Sequence, residues 1–375
     1  MTDVCIVGLG PTGRALAHRC AVAGLNVAVV DPRPDRLWMP TYSAWVDELP
    51  DWLPASVIAS RIEAPTVWAL TDHRIERPYA VLSKPRLFEA LALDGVTVHA
   101  QRARQLTRHT VELADGTVVK AALVVDARGM PAVGRRPAAS AHGIFVDADK
   151  VAHYVPDGEG LLLDWRDENG AGPDEPPSFL YSVPIGDGTV IFEETTLGVP
   201  GGLPRKVLRE RVLNRLKAHG IELTGDEAHE SCHYPLDLAP PRRRDRAAVP
   251  FGSIGGMMHP CTGYSVAPSM ALADTFVDAL RTGVDPVKAL WPNDARLVYW
   301  MRKKGLNGLG RLTAPQCASM FDSFFRASPR GQRALLSAHD DYAALGWVLV
   351  QTVHNTWPFR WRFDLVGWTN RNRWR

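Results

Sequence analysis

The sequence lacks the features that mark nucleic-acid binding, disulfide scaffolds and structural metal sites. Its 375 residues include 43 Lys plus Arg and 41 Asp plus Glu, and the net charge of +2 is too small to favour nucleic acid as a partner. The cysteines are few, and no two of them have the C-x-x-C spacing of a metal or redox site. We therefore expect no metal, no disulfides and a reducing compartment. The cysteines are Cys5, Cys20, Cys232, Cys261 and Cys317.

Long hydrophobic runs are also missing. The apolar stretch at residues 342–353 is much shorter than the roughly 20 residues that span a bilayer. The first residues lead into a strand-like segment without the basic and apolar regions of a signal peptide. We therefore expect a cytoplasmic protein whose membrane contact is at most peripheral. With 46% hydrophobic residues, the chain is typical of one or two joined globular domains.

The first clear pattern is a strand, a glycine turn, a helix and a second strand. An apolar run at residues 4–7 precedes Gly8-Leu9-Gly10-Pro11-Thr12-Gly13, and another at 27–30 ends in Asp31. In this spacing Gly8 allows a sharp turn, Gly10 lets a pyrophosphate approach, and Gly13 lets helix and strand pack closely. Asp31 lies where a ribose hydroxyl needs an acceptor. The pattern predicts a dinucleotide site at the helix N-terminus.

The next segments depart from a simple NAD-binding Rossmann domain. Alternating residues at 96–99, 110–113 and 117–119 predict a β meander, and a buried strand at 123–126 ends in Ala127-Arg128-Gly129. A glycine-rich segment at 252–260 precedes an apolar helix at about 265–280. This order resembles the large flavoprotein family of aromatic hydroxylases, isoprenoid reductases and carotenoid cyclases. The resemblance implies FAD as the cofactor.

The middle of the chain is rich in strand patterns, at residues 160–165, 179–184 and 189–194, with a hairpin signal at 185–188. A helix with a one-sided apolar stripe is predicted over residues 203–219. We expect an α/β fold with a Rossmann-like FAD-binding domain of the glutathione-reductase and aromatic-hydroxylase type. Its predicted parts are residues 1–135 with 245–285 for FAD, 136–244 for an inserted β-rich substrate region, and 286–375 for a helical region.

Several segments narrow the resemblance to one branch of that superfamily. They resemble the lycopene cyclases of plants, cyanobacteria and actinobacteria, in order, over about the first 280 residues. The Glu-Glu-Thr and His-Pro-x-Thr-Gly-Tyr elements are the most specific. The segments are Trp45-Val46-Asp47-Glu48, Arg77-Pro78-Tyr79, Asp164-Trp165-Arg166-Asp167, Phe179-Leu180-Tyr181, Phe192-Glu193-Glu194-Thr195 and Met258-His259-Pro260-Cys261-Thr262-Gly263-Tyr264.

The chain also departs from the family pattern at several positions. The family usually follows Pro-Tyr with Gly-Arg-Val, an Asn or Asp, and an Arg, whereas this chain has Ala80-Val81-Leu82-Ser83-Lys84. An ammonium at Lys84 does not replace the donor geometry of a guanidinium. Arg128 stands where the family has Thr in Asp-Ala-Thr-Gly. An acyclic isoprenoid other than lycopene therefore stays open as the substrate.

The implied reaction is a redox-neutral ring closure by an isomerase of the intramolecular lyase type. It starts with a proton given to a terminal double bond, so the donor must be a carboxylic acid whose pKa is raised by burial and a like charge. Glu193 and Glu194 end an apolar strand run, and because strand side chains alternate, only one can face the substrate. The resemblance points to Glu193 as the acid and Glu194 as a supporting residue. Without the resemblance, both would be read as surface carboxylates.

The resemblance also implies further site residues. In this family reduced FAD takes part in the reaction without a net redox change, and an external donor such as NADPH would keep it reduced. His259 is open to two interpretations, a cofactor contact or a structural histidine, and the aromatic residues could equally be core residues. The implied cofactor-binding residues, beyond Gly8, Gly10, Gly13 and Asp31, are Pro11, Asp126, Gly129, Gly256, Met258, His259, Pro260, Thr262 and Gly263. The implied substrate-binding residues are Phe179, Tyr181, Phe192 and Tyr264.

Charged and tryptophan-rich segments suggest further contacts. Asp47 and Glu48 are expected near the flavin, with an exposed acidic turn as the alternative. The run Arg242-Arg243-Arg244 with Arg246 is interpreted first as a solvated charged surface and second as a contact with anionic lipid. Residues 286–375 combine Trp368 and Trp374 with Arg371, Arg373 and Arg375, which is typical of a membrane-interface surface or of a helical cap. A hydrophobic isoprenoid substrate favours peripheral attachment to the cytoplasmic membrane.

Two other classes of function remain open from the sequence. An FAD-dependent oxidoreductase of the same fold, such as an isoprenoid reductase, hydroxylase or halogenase, is the main alternative. A hydroxylase does not need two adjacent cavity carboxylates, and the Trp-x-Trp-x-Ile-Pro element of a halogenase is missing. The second alternative is a flavin-binding protein without catalysis. It is disfavoured because such a protein would have no structural need for both acids of the Glu-Glu-Thr strand.

Overall fold

The computed structural model describes residues 1–242, 247–358, 360–366 and 374. Arg243, Arg244, Arg246, Trp368, Arg371, Arg373 and Arg375 of the sequence predictions lie outside these residues. In chain order the strands are β1 (Val4–Val7), β2 (Val27–Val30), β3 (Ser43–Trp45), β4 (Ile58–Ile62), β5 (Thr66–Trp68), β6 (Asp72–Arg74), β7 (Tyr79–Leu82), β8 (Thr97–His99), β9 (Ala103–Leu106), β10 (Thr110–Leu113), β11 (Val118–Lys120), β12 (Leu123–Asp126), β13 (Pro137–Asp147), β14 (Leu161–Asp164), β15 (Phe179–Pro184), β16 (Thr189–Pro200), β17 (His229–Pro235) and β18 (Val249–Pro250).

The helices are concentrated after residue 265. Short 3₁₀ helices cover Val46–Glu48, Ala55–Val57 and Gly252–Gly255. The α-helices are α1 (Pro11–Val22), α2 (Lys84–Ala90), α3 (Ala148–Val151), α4 (Arg205–Ala218), α5 (Val266–Arg281), α6 (Pro286–Leu290), α7 (Asn293–Leu309), α8 (Ala314–Phe325), α9 (Pro329–Leu336), α10 (Tyr342–Asn355) and α11 (Trp361–Leu365).

A parallel sheet in the order β18-β12-β1-β2-β8 forms the first layer. Its central strands β12, β1 and β2 are apolar and buried on both faces, as parallel strands covered by helices must be. Val7 at the end of β1 lies between Val30 and Asp126 on the neighbouring strands. The carboxyl ends of three strands therefore bring Gly8, Asp31 and Asp126 to one edge of the sheet.

The predicted meander is wrong in one strand. The strand at Thr97–His99 pairs in parallel with β2, and the antiparallel sheet is formed by β9, β10 and β11. Sequence alternation cannot distinguish these two partners, because a short edge strand of a parallel sheet exposes one face in the same way. The antiparallel pairing of the predicted strands at 110–113 and 117–119 is confirmed, since a hairpin at Asp115-Gly116 joins β10 to β11.

The second layer is a larger sheet in the order β17-β13-β16-β15-β14-β5-β6. One face packs on α4, whose Leu208, Val212 and Leu216 are buried as the predicted stripe requires. The other face packs toward the sheet β3-β7-β4 and the C-terminal helices. Strands β5 and β6 come from the part of the chain assigned to the FAD-binding domain. The domain boundary between residues 135 and 136 stays a prediction. Strands β5 and β6 do not follow it, because they precede the boundary in the chain but belong to the large sheet.

The helices from α7 onward cover the open side of this sheet. Phe324 and Phe325 of α8 and Val348 of α10 share one apolar cluster with the small sheet β3-β7-β4. Among the described residues, no helix is both long and apolar enough to cross a membrane.

Candidate active site

The glycine turn is packed tightly at two glycines and open at the third. Gly8 has a φ of 100°, and a Cβ there would overlap the backbone of Ala127. A Cβ at Gly13 would overlap the carbonyl of Gly8, whereas a Cβ at Gly10 would meet nothing within 4 Å. Pro11 begins α1, where a missing N–H costs nothing. Gly10 is therefore the point at which another molecule can reach the backbone.

Two carboxylates lie beside the turn. Asp31 accepts hydrogen bonds from the N–H groups of Leu9 at 2.8 Å and Arg33 at 2.7 Å, so it also holds the turn in shape. Asp126 is buried and pairs with Arg128 at 2.8 Å, ahead of Gly129. Arg128, at the position where the family has Thr, thus neutralises this carboxylate. The roles of Asp31, Asp126 and Gly129 toward a cofactor stay predictions.

His259 organises the second glycine-rich segment. Its Nδ1 accepts hydrogen bonds from the N–H groups of Cys261 at 3.1 Å and Thr262 at 3.2 Å, and its Nε2 donates to the carbonyl of Leu335 at 2.6 Å. Burial, together with the nearby Arg302, lowers the pKa of His259 well below its usual value. Both ring nitrogens are engaged within the protein. This arrangement favours the structural interpretation of His259 over direct contact with a cofactor.

The rest of this segment divides between two cavities. Met258, Thr262 and Gly263 line the cavity described next, and Pro260 lines a separate cleft. Gly263 has a φ of 78°, and a Cβ there would overlap the Tyr234 hydroxyl on β17. Gly256 is also left-handed and packs against Pro240. The segment is thereby fixed against the large sheet.

A cavity of about 460 Å³ lies between the large sheet, the small sheet and the segment around Thr262. Its walls are mainly apolar and aromatic. Phe179, Tyr181 and Tyr264, three of the predicted substrate contacts, all line it. The other aromatic residues of its lining include Tyr42, Trp45, Tyr79, Tyr234, Phe321 and Phe325.

Three tyrosines form a hydrogen-bonded cluster in the wall. The hydroxyl of Tyr79 lies 2.6 Å from that of Tyr264 and 3.4 Å from that of Tyr181. Tyr181 also bonds the hydroxyl of Ser43 at 2.9 Å. Burial raises the pKa of each tyrosine, to about 12 for Tyr264, so the cluster is neutral at physiological pH. It presents aromatic rings to the cavity while its hydroxyls satisfy one another.

Glu193 faces this cavity. Strand register places it opposite Tyr181, and its Oε1 accepts a hydrogen bond from the Thr195 hydroxyl at 3.0 Å. Burial raises its pKa to about 7, and the negative charge of Glu230 adds to the rise. A carboxyl with this pKa retains a proton near neutral pH and can give it up.

Glu194 faces the opposite side of the sheet and is fully buried. Its Oε2 accepts a hydrogen bond from Arg215 at 2.7 Å, and its Oε1 accepts from Ser178 at 2.6 Å and Asn169 at 2.8 Å. Arg215 comes from α4 and is 1% exposed. Glu194 therefore ties the strand to the helix behind it and does not contact the cavity.

Phe192 is the predicted substrate contact that the structure places elsewhere. It shares a strand face with Glu194, not with Glu193, because side chains repeat every second residue. Phe192 is buried in the cluster beneath α4 and stacks on Tyr154 at a ring distance of 5.8 Å. The predicted contact of Phe192 with the substrate is wrong, because two adjacent residues of one strand, Phe192 and Glu193, cannot both face the same cavity.

Asp47 and Glu48 lie in different surroundings from each other, and their predicted position near the flavin stays a prediction. Asp47 is exposed and pairs with Arg77 at 2.6 Å and Arg333 at 2.9 Å. Glu48 lines a second cleft of about 670 Å³ that also contains Arg302. Burial raises the pKa of Glu48 to about 7 against the opposing effect of Arg77. Tyr264 and Met258 form part of the wall between this cleft and the cavity.

Sequence reasoning missed Glu230, which lines the cavity from β17. Its Oε2 accepts hydrogen bonds from the backbone N–H of Thr41 at 3.1 Å and from its hydroxyl at 2.9 Å. The strand His229–Pro235 has polar residues on both faces, so its pattern did not mark it as part of a buried sheet. The period-two series Glu230, Cys232 and Tyr234 was the only signal.

Comparisons with known proteins find a family model and curated relatives that match this chain. The model of the family "Lycopene cyclase protein" matches residues 3–343. A chloroplastic lycopene beta cyclase from an Oncidium hybrid cultivar is 30% identical over 90% of this chain and 78% of its own length.

Two solved structures show the fold. A geranylgeranyl bacteriochlorophyll reductase-like protein from Thermoplasma acidophilum is 14% identical, with a TM-score of 0.68 over 97% of this chain and 98% of its own. A probable FAD-dependent monooxygenase from Pseudomonas aeruginosa is 17% identical, with a TM-score of 0.55 over 93% of this chain and 99% of its own. The predicted Rossmann-like flavoprotein fold is confirmed. The sequence match leads to one conclusion: this chain is a member of the lycopene cyclase family.

Proposed function

We propose that this protein is a lycopene cyclase, an isomerase that closes a β ring at the end of an acyclic carotenoid without net redox change. The observation that carries the proposal is Glu193, a carboxyl with a pKa of about 7 in a cavity with aromatic and apolar walls. Membership of the lycopene cyclase family supports the same reaction.

The cavity residues have separable parts in this reaction. Glu193 donates its proton to a terminal double bond, the neighbouring double bond attacks the resulting cation, and loss of a ring proton completes the isomerisation. The faces of Tyr181, Tyr264 and Phe179 attract positive charge. The apolar walls exclude water, which would otherwise capture the cation as an alcohol.

The residues of the glycine turn fit FAD, and we propose the reduced form as the active one. The open backbone at Gly10 beside the N-terminus of α1 suits a pyrophosphate, with Asp31 at the ribose. When bound, the reduced flavin supplies a negatively charged ring system that stabilises positive charge. An external donor such as NADPH keeps it reduced.

A glycine pair tests the flavin site. Gly10→Val is expected to abolish flavin binding and leave the fold intact, because the side chain enters open space. Gly13→Ala is the matched control and should destabilise the fold itself, because its Cβ overlaps the Gly8 carbonyl. Flavin absorbance after gel filtration and circular dichroism separate the two effects. Full flavin content in Gly10→Val would show that the site lies elsewhere.

We also propose that the protein is cytoplasmic and binds the membrane surface through α7 and α10. Leu297 and Trp300 on α7 and Trp347 and Val350 on α10 are exposed, and each pair has i, i+3 spacing. The Lys304 ammonium lies 5.5 Å from the ring of Trp300. Tryptophan beside a cation is typical of a membrane interface, where a carotenoid substrate is dissolved.

Vesicle binding tests the membrane proposal. Trp300→Glu with Trp347→Glu should weaken cosedimentation with anionic vesicles and leave cyclisation of detergent-solubilised substrate unchanged. Leu70→Glu, at an exposed position outside α7 and α10, is the control. Unaltered cosedimentation of the double variant would contradict the proposal.

The central experiment measures the product. Full-length protein with lycopene and chemically reduced FAD, without oxygen, should form cyclic product of unchanged mass, without consuming reductant for each ring. In heavy water each new ring should carry one deuterium at the carbon that is protonated first. A product heavier by one oxygen or by two hydrogens would instead place the protein among the oxidoreductases.

A further inference from the structure

Glu193 and Glu230 lie on either side of one residue, Gly143. Strand register pairs Gly143 of β13 with Glu193 of β16 on one side and with Glu230 of β17 on the other. Residues directly opposite each other on antiparallel strands project from the same face. Both carboxylates therefore face the cavity, above a residue that has no side chain to separate them.

Gly143 is required there by packing, not by backbone conformation. Its φ is not in the left-handed region, so any residue could adopt its backbone. A Cβ would lie 2.8 Å from Cδ1 of Ile191 and 3.4 Å from Cβ of Glu193. Ala141 continues the same face of β13 between Thr195 and Cys232. Small residues thus keep the space between the two carboxylates clear.

The two carboxylates have different local partners. Burial raises the pKa of Glu230, and its two hydrogen bonds from Thr41 and the charge of nearby Lys84 oppose that rise by favouring the charged form. Glu193 accepts only the Thr195 hydroxyl bond among the described residues. Because like charges disfavour each other, ionised Glu230 helps Glu193 to keep its proton. These contacts therefore favour Glu230 as the base of the pair and Glu193 as the acid.

We propose that Glu230 is the base of the cyclisation, the carboxylate that removes the ring proton after Glu193 has supplied the initiating one. The inference rests on the proposed function. Glu193 loses its proton to the double bond, and the ring carbon–carbon bond forms. The C–H bond next to the cation then breaks, leaving its electrons as the ring double bond and its proton on Glu230. Glu230 then releases its proton to solvent and Glu193 takes one up from solvent, so both groups are restored with no net consumption of protons.

The other ionisable groups that face Glu193 and Glu230 do not compete with them for the transferred protons near neutral pH. They come from the neighbouring strands, from the loop before β3, from α2 and from the segment after Thr262. Burial raises the pKa of each tyrosine and of the thiol, and Lys84 donates to the carbonyl of Met39 at 2.8 Å. These groups include Tyr42, Tyr79, Tyr181, Cys232, Tyr234, Tyr264 and Lys84.

The test is Glu230→Gln in the full-length, FAD-loaded protein with lycopene in detergent. Turnover should fall by about a hundredfold, the loss typical of a missing general base. The products should become a mixture of ring double-bond isomers, because the proton then leaves to whatever acceptor is nearest. The acidic limb of the pH profile, which reports protonation of Glu230, should disappear, while one deuterium per ring still enters from heavy water.

Other outcomes are equally clear. If Glu230→Gln keeps a single isomer and only moves the alkaline limb to lower pH, Glu230 merely raises the pKa of Glu193 and the base role is wrong. Thr41→Val keeps the carboxylate but removes a hydrogen bond, so it should move the acidic limb to higher pH, which tests the assignment if Glu230→Gln does not fold. Exposed Glu222→Gln is the control and should change nothing. A wild-type protein that forms no ring overturns the proposed function itself, whereas a failure confined to these variants overturns only the role of Glu230.

Discussion

The two faces of strand β16 turn adjacent glutamates into different chemical groups. Glu193 faces a cavity, has one hydroxyl partner and has a pKa of about 7. Glu194 faces α4 and is fully buried, but it is held by Arg215, Ser178 and Asn169. Burial alone therefore does not determine the state of a carboxyl. Its partners do, because a guanidinium offsets the cost of a buried charge that an apolar cavity leaves unpaired.

The largest expected effect comes from Glu193→Gln. Glutamine keeps the size and polarity of the side chain but cannot donate the proton, so cyclisation should fall by about a hundredfold to ten-thousandfold. Flavin content and melting temperature should not decrease. Near-normal turnover in this variant would remove Glu193 from the mechanism and would end the contrast between the two faces.

Glu194→Gln should act on stability instead. Loss of the carboxylate leaves Arg215 buried without its closest charge partner, and such changes cost about 3 to 5 kcal/mol. Chemical denaturation measures this cost, and cyclisation per folded molecule should change far less than in Glu193→Gln. A variant that is fully stable yet inactive would reverse the roles of the two acids.

A smaller effect should appear in the pH dependence of stability. The folded-state pKa of Glu193 is about 7, above the usual value of 4.5, so the unfolded chain releases this proton first. The contribution of Glu193 to stability is complete below the unfolded pKa and is lost as pH rises through 7, by up to about 3 kcal/mol. Glu193→Gln should therefore be more stable than wild type at pH 8, while the two converge near pH 4. Parallel curves would show that Glu193 titrates normally.

The smallest effect separates two phenylalanines on opposite faces. Phe192→Leu should cost roughly 1 kcal/mol of stability, since it packs beneath α4, and should leave the KM for carotenoid unchanged. Phe179→Leu lines the cavity and should raise that KM. A change in KM from Phe192→Leu alone would mean that substrate reaches the α4 face.

Much of the fold could be predicted because local patterns suffice for it. The glycine spacing and the flanking strands predict the first βαβ unit, and the apolar stripe of α4 predicts its buried face. The partner of strand β8 could not be predicted, because pairing depends on where distant strands come together. The same limit hid β17, whose polar residues on both faces resemble those of an exposed strand.

The sequence by itself determined the family, the glycine turn and the alternation of Glu193 and Glu194, since these depend on residue order and on the period of a strand. Only the tertiary structure decided which carboxyl meets a second carboxyl. Glu230 follows Glu193 by 37 residues in the chain, yet strand register brings both beside Gly143. The tertiary structure likewise engages both ring nitrogens of His259 in hydrogen bonds and buries Phe192 beneath α4. Contacts between distant segments set the electrostatics of each group, and no local pattern encodes them.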